Sequence, residues 1–91
     1  MKHVFSKPYE FEGKQYKEID IDLDTLKGSD VSAVKTQFSA AGKFAPVPTT
    51  DIDFCVMLAA RVAKQPIEFF NDLPAKDYCA VAQGVSNFLL A

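Results

Sequence analysis

Apolar residues crowd the stretch from Thr50 to Lys64 so densely that, at about 100° per residue, they wrap most of a helix. Ile52, Phe54, Cys55, Val56, Leu58, Ala59, Ala60, Val62 and Ala63 fill its circumference, and only Asp53, Met57, Arg61 and Lys64 form a stripe for water. A helix of that character has to be enclosed on several sides. The pattern therefore predicts a buried central helix over 50–64, opened by Thr50 and Asp53 as a capping box. The rest of the chain is expected to wrap it.

Upstream the period drops to that of a strand. Met1–Ser6 shows no pattern and is expected to be a loose lead-in. Tyr9 and Phe11 then alternate with Glu10 and Glu12, and Ile19, Ile21 and Leu23 alternate with Glu18, Asp20, Asp22 and Asp24. Such alternation is what a half-buried strand requires. An antiparallel hairpin is predicted over 7–24, bent at Glu12–Gly13 or Gly13–Lys14. Pro8 suits the start of an edge strand. Tyr16 is out of phase with Ile19 and asks for a bulge or a later strand start.

Downstream, Val31, Val34, Phe38 and Ala41 share one narrow helical face, predicting a helix over 29–41. Ser29 or Asp30 can cap it and Gly42 can end it. The segment Lys43–Thr49 cannot be regular helix, because Pro46 and Pro48 push their predecessors into extended geometry. Pro66 opens a short helix over 66–73, in which Ile67, Phe69, Phe70 and Leu73 cannot all be buried on one side. Pro74 suits the first turn of a last helix over 74–90. There Tyr78, Val81, Ala82, Val85, Phe88 and Leu89 make one stripe, and Asp77 suits the positive end of the helix dipole. The fold class is α+β: an N-terminal antiparallel β-hairpin followed by three to four α-helices around a buried central helix. A single domain over 1–91 is expected.

Composition sharpens the class. With 48% hydrophobic and 24% charged residues, the chain belongs with globular proteins, not disordered ones. No apolar run approaches the roughly 20 residues that span a bilayer, so no membrane association is expected. The segment Met1–Phe5 lacks the features of a signal peptide. Two unclustered cysteines fit a reducing compartment, which points to the cytosol. A net charge of −2 with a single arginine argues against nucleic acid, whose recognition needs a clustered basic face. The helix starts Asp51-Ile52-Asp53 and Ala75-Lys76-Asp77-Tyr78 are likewise unfit to read base edges.

Candidate chemistry is sparse. Asp20-Ile21-Asp22-Leu23-Asp24 begins like a calcium loop, but the sixth and twelfth positions, which need Gly and Glu, hold Thr25 and Val31. The three aspartates are better placed on one solvated face of a strand. Cys55 and Cys79 stand 24 residues apart, outside any zinc-binding spacing; Cys55 falls in an apolar sector and Cys79 beside one. A serine or cysteine nucleophile needs a base beside it, and the lone histidine, His3, sits at an end expected to be mobile. Gly28-Ser29-Asp30 lacks the Asp-Ser-Leu of acyl carriers. Neither an enzyme nor a cofactor site is expected.

What stands out is an aromatic surplus. Eight Phe and three Tyr without any Trp exceed what one small core readily holds. Taken singly, each is expected to fill a gap; Phe44 and Val47, for instance, are expected to lie over the central helix. Taken together, Phe44, Val47, Phe69, Phe70 and Leu90 are the best candidates for an exposed, partner-binding patch. The expected class is an acidic interaction module without catalytic equipment, for which a small cytosolic adaptor for one folded partner is one reading.

One succession of motifs resembles a known family. It runs Lys7-Pro8-Tyr9-Glu10-Phe11-Glu12-Gly13-Lys14, Tyr16 and an acid-rich strand, a short helix ending at Gly42, and Phe44-Ala45-Pro46-Val47-Pro48. The alanine-rich helix comes next, then Pro66-Ile67-Glu68-Phe69-Phe70, Leu73-Pro74-Ala75-Lys76-Asp77-Tyr78 and Asn87-Phe88-Leu89-Leu90. This is similar to the tail assembly chaperones of long-tailed bacteriophages and their prophage relatives. The resemblance implies a factor without enzymatic activity or cofactor, made in the host bacterial cytoplasm and absent from the mature virion. It implies that the tape measure protein is the partner, held while tail tube protein polymerises around it. Self-association on a long client is a further expectation.

Overall fold

Glu12 and Gly13 both take positive φ, 51° and 78°, the two-residue turn that matches the twist of a hairpin. They join β1 (Lys2–Phe11) to β2 (Lys14–Asp20) in a two-stranded antiparallel sheet. The computed structural model describes residues 1–91 throughout. The supposed lead-in is therefore strand: Lys2 pairs with Asp20 and Val4 with Glu18, and the Ile21 N–H donates to the Met1 carbonyl at 2.6 Å. The register then jumps, with Tyr9 opposite Tyr16. Phe5, Ser6, Lys7 and Pro8 face only Lys17 across that gap. The irregularity lies in β1, where Pro8 has no N–H to give the ladder. It turns Phe5 into the core and frees Ser6 for other bonds.

β2 stops at Asp20, four residues before the predicted end. Ile21 and Leu23 nevertheless stay buried while Asp20, Asp22 and Asp24 face water, because Leu23–Thr25 continues as a 3-10 turn. Next comes α1 (Gly28–Ala40), which buries Val34 and Phe38. Its start is closed by Asp30, whose carboxylate accepts the Lys27 N–H at 2.9 Å. Its end is a Schellman motif: Gly42, at φ 78°, donates to Ser39 and Lys43 donates back to Phe38.

The connector runs through a 3-10 turn, Pro48–Thr50, into the central helix α2 (Ile52–Ala63). Asp51 caps α2, accepting the Phe54 N–H at 3.0 Å, so the expected Thr50–Asp53 box does not form. Thr50 instead bonds the Val47 carbonyl inside its own turn. Phe54, Cys55, Val56, Leu58, Ala59 and Ala60 are buried as predicted, whereas Ile52 is exposed at the helix start.

Phe69 and Phe70, expected on the surface, are fully buried in α3 (Ile67–Asn71). The hairpin supplies the missing cover. Tyr9, Phe11, Tyr16 and Phe70 place their ring centroids 5.0–5.2 Å from that of Phe69, mostly edge to face. The Tyr9 hydroxyl also donates to the Phe69 carbonyl at 2.7 Å. Edge-to-face pairs of this kind add about 0.5–1.5 kcal/mol each beyond burial. Last, α4 (Ala75–Leu90) packs on α2 through Val81, Ala82 and Val85. The architecture is a two-stranded hairpin followed by four helices, closed around one cluster of 19 buried apolar residues. No helix is long and apolar enough to cross a membrane.

Candidate partner-binding surface

Three of the five predicted patch residues remain on the surface: Phe44 is 86% exposed, Leu90 60% and Val47 56%. Phe44 and Val47 therefore do not lie over the central helix. Pro46 and Pro48 hold their predecessors Ala45 and Val47 out of helical geometry, and the connector bends into its 3-10 turn with both side chains outward. Phe69 and Phe70 leave the candidate set. Ile52 at 49% and Phe88 at 41% join it. Position was the signal that went unused: Ile52 is the first residue of α2, and Phe88 sits at the edge of its stripe in the last turn.

Two bonds draw these segments together. The Thr49 carbonyl accepts from Ser86 Oγ at 2.7 Å and from Cys55 Sγ at 3.4 Å. The connector is thus pinned between α2 and α4, and Ser86 is one helical turn before Leu90. Five of the six large exposed apolar side chains come from residues 44–52 and the end of α4; the sixth, Val4, lies on the outer face of the hairpin. The burial of Ser86, unexpected from sequence, is satisfied by this bond.

Polar groups elsewhere hold structure together. Asp77 is 2% exposed, and it accepts from Ser6 N–H at 3.0 Å and Ser6 Oγ at 2.8 Å, with His3 Nε2 2.9 Å away. His3 is therefore fixed, not mobile. Burial pushes the Asp77 carboxyl up, but the bonds from His3 and Ser6 outweigh it and leave it below its ordinary value. Both the histidine and the serine bind the aspartate and not each other, so no base is poised on the hydroxyl. Asp53 is likewise held low, by the Tyr78 hydroxyl at 2.7 Å and Lys43 at 3.2 Å. Tyr78 is pushed well above its usual range by burial and by that carboxylate. Burial pushes the Cys55 thiol up to about 11, which makes it a packing residue. Cys79 is a free, exposed thiol. No three His, Cys, Asp or Glu side chains are grouped to hold a metal ion.

The fold is a hairpin clamped on a helical core, with large apolar side chains left exposed on the connector, at the start of α2 and at the end of α4. The family model described as "Phage tail assembly chaperone proteins, E, or 41 or 14" matches residues 2–90. The chain belongs to this phage tail assembly chaperone family, a family of chaperones and not of known enzymes. No curated protein and no solved structure matches it.

Proposed function

We propose that the chain is a non-enzymatic holdase that binds the tape measure protein during tail assembly. The observation that carries this reading is the set of exposed apolar side chains, Phe44, Val47, Ile52, Phe88 and Leu90, drawn from two segments bonded to each other. Exposed apolar side chains carried on segments bonded to each other are what a site of association needs. A holdase needs only such a surface, since covering apolar surface on a client suppresses its aggregation without nucleotide chemistry. Modest affinity suits the role, because tail tube protein has to displace the chaperone. Several copies on one long client would bring the same surfaces close enough to self-associate. The work is done in the host bacterial cytoplasm, and the chaperone is left out of the mature virion.

Co-expression tests the reading. The tape measure protein from the same phage or prophage is expected to stay soluble with the chaperone in stoichiometric excess and to aggregate without it. Equal solubility in both cultures would overturn the assignment and favour an adaptor with a single folded partner.

A further inference from the structure

The connector between α1 and α2, residues 41–51, takes its shape from its own bonds. The Lys43 N–H donates to the Phe38 carbonyl at 3.1 Å, and the 3-10 turn closes through Thr50 N–H on Val47 and Asp51 N–H on Pro48, both at 3.0 Å. Such bonds set local geometry but not where the turn stands on the helical body. Its place is set at the Thr49 carbonyl. Cys55 Sγ, a weak donor, reaches that oxygen at 3.4 Å from α2, the helix the turn runs into, and Ser86 Oγ reaches it at 2.7 Å from α4. The Ser86 bond is the only hydrogen bond between the connector and α4.

Ser86 is 9% exposed, and a buried hydroxyl is unfavourable unless it is bonded. The helix itself does not call for serine here. Alanine is similar in size, a better helix former and free of any polar group to satisfy. The hydroxyl serves the carbonyl. Val47 and Ile52 stand two and three residues from Thr49, and Phe88 and Leu90 stand two and four residues from Ser86. This bond therefore ties the exposed apolar side chains of the connector to those of α4.

We propose that Ser86 is a positioning residue for client binding: its hydroxyl holds the connector against α4 and so presents both sets of apolar side chains in one arrangement. The proposal deepens the tape measure reading and rests on it. With the bond in place, the client meets an ordered surface. Without it, the connector has to be ordered at binding, and apparent affinity falls with the fraction of chains in the competent arrangement. The effect is bounded, because one hydrogen bond shifts such an equilibrium by roughly two- to tenfold. Removing the hydroxyl therefore weakens binding by about fivefold and not by orders of magnitude.

The test uses the full chain and the tape measure protein of the same phage or prophage, diluted out of denaturant. Light scattering is read well below the melting temperature of the chaperone. Ser86→Ala is expected to need about fivefold more chaperone than wild type for half-suppression of scattering. In the same variant, hydrogen exchange speeds up at Thr50 and Asp51 while the interiors of α2 and α4 keep their protection. Ile19→Val on the hairpin is the stability control, since it loses one buried methyl group. It lowers the thermal melt comparably and leaves potency at the wild-type value. Equal potency of Ser86→Ala and wild type, or the same loss of potency in Ile19→Val, would overturn the proposal. So would unchanged exchange at Thr50 and Asp51. A wild-type chain that leaves scattering unaltered would instead reject the tape measure protein as the client, and the role of Ser86 with it.

Discussion

Removing Asp77 tests how the hairpin is fastened to the helices. Its carboxylate joins α4 to β1 across more than seventy residues of sequence, through Ser6 N–H, Ser6 Oγ and His3. Asp77→Ala leaves those three donors without their buried acceptor. A hydrogen bond to a charged group contributes about 1.5–3 kcal/mol, but exposed Ser6 and partly exposed His3 regain water, so the expected loss is about 2–4 kcal/mol. Asp77→Asn keeps the shape and loses the charge, and about half that penalty is expected. The folded carboxyl sits below its ordinary value. Its contribution is therefore fully present above the unfolded pKa and is lost as pH falls through the folded one. Urea denaturation of wild type and Asp77→Asn should show a stability gap at about pH 5 that narrows steadily on acidification towards pH 2. In Asp77→Ala, hydrogen exchange should speed up first at Val4–Ser6. A penalty below about 0.5 kcal/mol, or a gap that widens in acid, would refute the reasoning.

Three further outcomes rest on single residues. Phe69→Ala empties the ring cluster under the hairpin and is expected to cost about 3–5 kcal/mol, measured by denaturant midpoint; a loss near 1 kcal/mol would mean that Phe69 is not the anchor. Lys64 ends α2 in the left-handed region at φ 56° and ψ 39°, a strain that glycine lacks, so Lys64→Gly should stabilise by about 0.5–1 kcal/mol in a thermal melt. A thiol reagent at about pH 8 should modify Cys79 in the native protein and leave Cys55 untouched until unfolding, by mass spectrometry.

Local patterns carried the architecture. The alternation in Glu18–Asp24, the density of Ile52–Ala63 and the stripe of α4 each arise within one element, and each is visible along the chain. The resemblance to tail assembly chaperones rested on the order of those elements, and the family match over residues 2–90 agrees with it. Tertiary partners were hidden. Nothing near Phe69 or Phe70 in sequence says that Tyr9, Phe11 and Tyr16 arrive to cover them. Ser6 meets Asp77 because the irregularity at Phe5–Pro8 takes it out of the ladder, while His3 reaches the same carboxylate from its paired position opposite Ile19. The cap of α2 lies one residue beyond the expected Thr50, since Thr50 and Asp51 are both able acceptors and the local turn chose between them: Thr50 bonds the Val47 carbonyl, and Asp53, its expected box partner, is drawn to Tyr78 and Lys43. Leu90, off the stripe at a helix end, is exposed as that position suggests, whereas Phe44 and Val47, each expected over the central helix, stand on the surface.

Site-specific photo-crosslinking addresses the central claim most directly. A benzophenone amino acid is placed at Phe44, at Leu90 or, as a control on the hairpin, at Val4, and the chaperone is co-expressed with the tape measure protein. Covalent adducts from positions 44 and 90 but not from position 4 are expected. Adducts from position 4 alone, or none from any position while the client stays soluble, would contradict the account.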